Sequence, residues 1–242
     1  MPVCAIIWSM KLDRLIAAHQ SMGRQAAHRA IAAKRVRVDG VVVTDSHHPV
    51  DRFTRVDFDE SVIQQPERAL YLMLHKPAGV LCATQDAMHP TVIDLIDDPD
   101  KHTLHLAGRL DRATTGLVLL TNDGRWSKRL MDAQSKVPKV YLVETEQAIP
   151  LEAPEAFARG FYFHTENITT LPADLVVLNE HRARLTLHEG RYHQVKRMFH
   201  RVGCRVTALH RESIGGIALP QDLLPGAWRQ IQPAAVWGDR SM

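Results

Sequence analysis

The sequence is poor in the residues that would commit it to several common kinds of chemistry. Its 242 residues include three cysteines, Cys4, Cys82 and Cys204, set far apart. That usage excludes a disulfide framework and a cysteine zinc site, and makes a reducing, cytoplasmic setting the default expectation. No apolar run approaches the ~20 residues needed to cross a bilayer, so no membrane association is expected. The N-terminal MPVCAIIWS is too short for a signal peptide and has no basic leader, which points to a disordered extension ahead of Met10. Also missing are a glycine-rich loop running into Gly-Lys-Ser/Thr, a dinucleotide fingerprint and a Ser or Cys nucleophile elbow. Any reaction is therefore expected to use side chains alone, with no cofactor. The formal charge of +3, with 14 histidines uncounted, permits a polyanionic partner without requiring one. What matters is where the charge lies.

Along the chain, residues 10–60 form a candidate small module. Leu12, Leu15, Ile16 and His19 have helical spacing, Gly23 breaks it, and a second helix is expected from Arg24 to Arg35. Val36-Arg-Val-Asp-Gly-Val-Val-Val reads as a hairpin turning at Asp39-Gly40, and Arg55-Val-Asp-Phe as a further short strand. The second helix sets Arg24, His28, Arg29, Lys34 and Arg35 among alanines with hardly an acid between them. That is either a solvated face or a footprint for a phosphate backbone, and the missing counter-charge favours the footprint. Residues 61–69, polar and carrying Pro66, read as a linker. From residue 70 to the end, short strands alternate irregularly with helices: Tyr71-Leu-Met-Leu-His, Leu117 to Thr121, Val140-Tyr-Leu-Val-Glu, Arg184-Leu-Thr-Leu-His and Arg205 to His210 as strands, Trp126 to Met131 and Gln194 to Arg201 as helices. The pattern implies an α+β domain with a mainly antiparallel sheet.

Two stretches carry candidate chemistry. In LAGRLDRATTGLVLLTNDG, Asp111 sits between Arg109 and Arg112, just ahead of the apolar Leu-Val-Leu-Leu. A carboxylate at the mouth of a buried strand is costly unless paired. It is either a salt bridge to Arg109 or Arg112 that pins the loop, or a nucleophile or base on a rigid mount beside cations. The second stretch is the densest basic block of the chain: Leu187 to Glu212 holds six Lys/Arg, four His and two Asp/Glu. Its His188-Glu-Gly-Arg-Tyr-His193 superficially resembles a zinc motif. Histidines five apart lie about 140° apart on a helix, however, where metalloprotease histidines four apart lie about 40° apart. No metal site is expected. A third piece, Lys139-Val-Tyr-Leu-Val, puts Tyr141 on a strand, where a lone tyrosine is ordinarily core.

Taken together and in this order, GRLDRATTGLVLLTNDG, KVYLV and EGRYHQVKRMF resemble the motifs of bacterial ribosomal-RNA pseudouridine synthases, in the branch that modifies small-subunit RNA. The likeness extends to LHRESIGGIAL near the end and covers nearly the whole chain. It implies a small N-terminal helix-helix-hairpin module of the kind found in a small-subunit ribosomal protein, followed by a catalytic domain with a bent, mainly antiparallel mixed sheet flanked by helices. It places the family's catalytic aspartate on Asp111, its active-site tyrosine on Tyr141 and its basic partner on Lys196. It further implies isomerisation of a uridine in 16S rRNA, uridine 516, with neither metal nor cofactor.

On that footing Arg109, Arg191, His193, Gln194 and Arg197 are expected to contact RNA around the flipped nucleotide. Arg14, Arg24, Arg29, Lys34 and Arg35 are expected to do so on the small module, with ribosomal RNA or an assembling particle as partner and a monomer as the working state. The rival readings are a synthase acting on 23S rRNA, a non-catalytic rRNA-binding or ribosome-assembly protein, and a nucleoside glycosidase. The last wants a second carboxylate, for which neither Asp123 nor Glu189 has an obvious claim.

Overall fold

The computed structural model describes residues 10–238; the expected N-terminal extension lies outside them. The chain divides into two compact units, one ending at Ala69 and the other starting at Leu70.

In the first unit, helices α1 (Leu12–His19) and α2 (Arg24–Ala32) precede an antiparallel sheet of β1 (Val36–Val38), β2 (Val41–Val42), β3 (Val56–Phe58) and β4 (Ser61–Gln64) in the order β2-β1-β3-β4. Asp39 and Gly40 both have positive φ, 50° and 80°, as a two-residue hairpin turn between right-twisted strands demands. Leu12, Ile16, Ala27, Ile31, Val36, Val56, Phe58 and Ile63 close a small core. Residues 61–64 are therefore strand, not linker. Ile63 is buried under the sheet, and the Gln64 side-chain amide donates to the carbonyls of Asp51 and Thr54 at 2.7 Å.

The charge on α2 is also less naked than its sequence implies. Arg24 and His28 both reach the buried Asp13 of α1 at 2.9 Å, and Arg35 forms a two-pronged pair with Asp59. Arg14, Arg29 and Lys34 are exposed. Burial alone would raise the Asp13 pKa, but the hydrogen bonds from His28 and Arg24 outweigh it and bring the value from 3.8 to about 2. A carboxylate depressed in this way stabilises the fold above its unfolded value and loses that contribution as the pH falls through the folded one. The unit is expected to lose about 2 kcal/mol between about pH 4 and pH 2. Denaturant titration across that range should show this acid limb in the wild type and a shallower one in Asp13→Asn, where Asp59 still contributes.

The second unit is built on one nine-stranded sheet. Its main strands are β5 (Tyr71–Lys76), β6 (Thr115–Thr121), β7 (Lys139–Thr145), β8 (Asp174–Asn179), β9 (Arg182–Leu187), β10 (Val206–Ile214) and β11 (Trp228–Gln230), ordered β8-β9-β7-β10-β6-β5-β11. Two short strands, His105–Leu106 and Ile217–Ala218, pair with β6 and β10. Pairing is antiparallel except between β6 and β10. This is an α+β fold with a mainly antiparallel mixed sheet.

Both faces of the sheet are covered, and this explains why Leu117 to Leu120 is an unbroken apolar run. Val118 and Leu120 enter one cluster with Leu72, Leu74, Phe157 of α4 (Ala153–Arg159) and Val195, Met198 and Phe199 of α5 (Gln194–Arg201). Leu117 and Leu119 enter the other with Met73, Ile214 and Trp126 and Leu130 of α3 (Gly124–Met131). All four residues of the run are fully buried, each worth roughly 1.5–3 kcal/mol over exposure. Asp123 ends the strand by capping α3, accepting from the backbone of Arg125 and Trp126.

The parallel β6–β10 junction requires a glycine. Gly116 pairs with Arg211, has φ 107°, and a Cβ there would stand 2.3 Å from the Arg211 carbonyl oxygen and 2.5 Å from its nitrogen. Both obstacles are backbone, so neither can swing aside. Gly116→Ala is expected to cost roughly 2–4 kcal/mol by combined strain and overlap. The check is the urea midpoint of the two proteins.

Candidate active site

Four segments of the second unit converge on one cleft. The loop from Arg109 to Thr114 enters β6 and carries Asp111; β7 carries Tyr141; the start of α5 carries His193 and Lys196; and β10 lends Leu209 to the lining and carries the buried Arg211. The cleft encloses about 400 Å³ of empty space counted to its solvent opening. Arg109, Asp111, Tyr141, Gly190, Arg191 and Lys196 line it, with Leu110, Leu187, Val195 and Leu209 as the apolar part.

Asp111 is only partly exposed, with 29% of its side chain open to solvent, and each of its oxygens faces a different basic side chain. Lys196 Nζ donates to Oδ2 at 2.8 Å, and His193 Nε2 lies 3.4 Å from Oδ1. The salt bridge within the loop, to Arg109 or Arg112, is not what holds it. Arg112 turns away to donate to the Gly79 carbonyl, and Arg109 is exposed on the rim of the cleft. Eighty-five residues separate Asp111 from Lys196, and neither neighbourhood alone shows the pair.

The loop is fixed from beneath by a buried lysine. Lys76, at the end of β5, donates from Nζ to the carbonyls of Pro77, Arg112 and Thr114 at 2.8–3.1 Å. Arg112 and Thr114 both follow Asp111, so the loop is pinned just past the carboxylate. Burial lowers the Lys76 pKa, with Cys82 and Asp111 pulling it partly back. Cys82 Sγ accepts from the Leu110 amide, a further tether on the same loop.

Tyr141 is 7% exposed and lies across the sheet from Arg211, its register partner beside a β-bulge. Arg211 is 2% exposed. Its Nε donates to the Leu117 carbonyl at 2.7 Å, and Nη1 reaches the Arg109 carbonyl at 3.3 Å and the Tyr141 hydroxyl at 3.5 Å. One buried guanidinium thus ties β6, the Asp111 loop and Tyr141 together. Sequence reasoning passed over Arg211 and gave Lys76 no role. The available signals were a charge inside the strand of LHRESIGGIAL and a lysine closing an apolar strand ahead of Pro-Ala-Gly.

Other basic residues divide by where they point. Arg191 lines the cleft while pairing with Glu189 at 2.9 Å, and Gln194 is buried, donating to Glu189 and accepting from the Arg191 amide. Gln194 thus braces the loop rather than offering an open contact. Arg197 does not line the cleft: it packs over Phe163, pairs with Glu166 at 2.8 Å and donates to Thr165. Adjacent helix positions lie about 100° apart, so with Lys196 turned to the cleft Arg197 faces elsewhere. The acids Asp123 and Glu189 are both engaged. Asp123 caps α3 and accepts from Tyr71, and Glu189 accepts from Leu171, Arg191 and Gln194. His188 meets the Lys136 carbonyl while His193 meets Asp111, so the two histidines of the zinc-like run serve different partners.

Asp111, paired with Lys196 and met by His193, thus shares one open cleft with Tyr141. The chain belongs to the RNA pseudouridylate synthase family, whose model matches residues 70–201. It is an isomerase of that class. Among its relatives, ribosomal small subunit pseudouridine synthase A of Pseudomonas aeruginosa is 50% identical over 92% of this chain and 96% of its own length. The protein of the same name from Escherichia coli K12 is 45% identical with the same coverage. A crystal structure of a pseudouridylate synthase superposes with a TM-score of 0.67 at 36% identity, covering 94% of this chain and 98% of the other.

Proposed function

We propose that this enzyme converts uridine 516 of 16S ribosomal RNA to pseudouridine, with Asp111 as the catalytic acid residue, Tyr141 as the base-stacking wall and Lys196 as the partner that orients Asp111. The observation that carries the reading is the meeting of these three side chains around one cleft, with Asp111 2.8 Å from Lys196. The bond between uracil N1 and the sugar breaks, the base turns, a new bond joins C5 to the same sugar carbon, and the proton on C5 leaves while N1 gains one. No atom is added or lost overall, so one carboxylate suffices, acting either on the anomeric carbon or on the neighbouring sugar proton. Tyr141 keeps the freed uracil in the cleft during rotation, and its hydroxyl takes part in transfer of the C5 proton.

Access to the glycosidic bond requires the nucleotide to leave its stack, at a cost of a few kcal/mol. Arg109, exposed at the rim and in no ion pair among the described residues, takes the phosphate or the vacated space. The first unit supplies a second grip through Arg14, Arg29 and Lys34, with Arg24 and Arg35 contributing only as far as Asp13 and Asp59 leave them free. The relatives' names support the small-subunit branch over the large-subunit one. The enzyme works in the cytoplasm, as a monomer. Mapping of pseudouridines in 16S rRNA from cells lacking the protein tests the target: position 516 is expected to remain uridine, and a lost modification elsewhere with 516 intact would reassign the substrate.

A further inference from the structure

Tyr192 is a large aromatic side chain, 75% exposed. It is not loose. Its ring lies flat against His193, with centroids 3.9 Å apart and planes 16° apart. Consecutive side chains ordinarily diverge, by about 100° on a helix and to opposite faces on a strand. His193 departs from both patterns, with a left-handed backbone (φ 49°) at the cap of α5. Its other ring contact is with the Asp111 carboxylate, 3.4 Å from Nε2. The backbone carbonyl of Tyr192 accepts from Arg197, and the loop behind it is held by Glu189 through Arg191 and Gln194. The hydroxyl of Tyr192 makes no hydrogen bond among the described residues. One face of the ring is therefore committed to His193 and the other is open to solvent, on a braced mount one side chain away from Asp111.

We infer that the open face of Tyr192 is a stacking platform for an unpaired base neighbouring the target uridine. This rests on the reading of the cleft as a uridine-isomerising site. A flipped uridine leaves its neighbours without a stacking partner on one side, and an aromatic side chain at the rim replaces it. Single-stranded RNA is gripped in this manner, by aromatic stacking beside cations that follow the backbone. The cleft that begins at the neighbouring His193 is lined by Arg109, Arg191 and Lys196, whose charge has the sign a phosphate chain requires. A buried core role is excluded by the exposure, and a contact with apolar protein surface is disfavoured by this basic surround. The tyrosine–histidine stack also links recognition to chemistry, since a base settling on Tyr192 presses on the ring that touches Asp111.

The test uses the whole enzyme and an RNA stem-loop containing the target, with 2-aminopurine placed on either side of the uridine. Wild-type protein is expected to change the fluorescence of one of these positions on binding. Tyr192→Leu is expected to lose that change and to raise KM about 5- to 150-fold, the span expected for one base–aromatic stack, with a much smaller fall in kcat. Tyr192→Phe is expected to keep both within about twofold. Leucine matching wild type in KM and fluorescence overturns the platform. So does a loss confined to kcat, which would mean that Tyr192 only props His193. Tritium release by the wild type on the same RNA separates the two levels. Turnover with an indifferent leucine variant removes the platform alone, whereas binding without turnover by the wild type removes the proposed target.

Discussion

Asp111→Asn protein is expected to release no tritium from 5-tritiated uridine in RNA, with a loss of at least about 10⁴-fold, while its affinity for the same RNA stays within a few-fold of wild type. The asparagine keeps the shape of the side chain and can still meet Lys196 and His193, so the loop pinned by Lys76 stays in place. What it lacks is the second carboxylate oxygen that bonds to carbon or removes a proton. Loss of an acting nucleophile or base costs that order of magnitude in kcat even when binding survives. Affinity is set by phosphate contacts and stacking, which the substitution leaves alone. The alternative second acids, Asp123 and Glu189, are tied to α3 and to the Arg191–Gln194 loop, so no residual pathway through them is expected. Measurable turnover by a pure preparation would remove Asp111 from its role.

The second large effect concerns Lys196. Lys196→Met is expected to lower kcat about 100-fold, the scale at which a misplaced catalytic group loses its alignment. Lys196→Arg is expected to retain activity within about tenfold. Stability is expected to change little. Both members of the pair are about one-third exposed, and such pairs contribute roughly 0–1 kcal/mol. A methionine variant with a wild-type melting temperature and a strongly reduced kcat separates orientation of the carboxylate from support of the fold. Methionine with full activity would leave His193 as the sole orienting group.

The sequence was most informative where local pattern and burial agree. Gln194–Arg201 was legible as a helix because Val195, Met198 and Phe199 fall on one face. Leu117 to Thr121 was legible as a central strand because its apolar residues, Leu117 to Leu120, enter two clusters on opposite faces of the sheet. Legibility failed where partners are distant or signals conflict. Asp13 lies 11 and 15 residues from the Arg24 and His28 side chains that meet it, so α2 looked more bare than it is. Ile63 is the only buried side chain of β4, and with Pro66 close behind, one anchor was too weak a sign of a strand.

The site itself divides in the same way. Asp111, Tyr141 and Lys196 were each visible, but only the family resemblance joined them. Their meeting depends on a parallel β6–β10 junction that no periodicity announces. Arg197 was misplaced by counting charge without helical phase. Arg211 escaped because a buried arginine is identified by the carbonyls around it, here those of Leu117 and Arg109, and these come from another strand and loop.

The most direct measurement is a structure of the Asp111→Asn enzyme bound to an RNA stem-loop containing the uridine. The account predicts a uridine outside its helix, its sugar carbon beside residue 111 and its uracil flat against the Tyr141 ring. A uridine still stacked within the RNA, or one held in the cleft with its sugar turned away from residue 111, would contradict it.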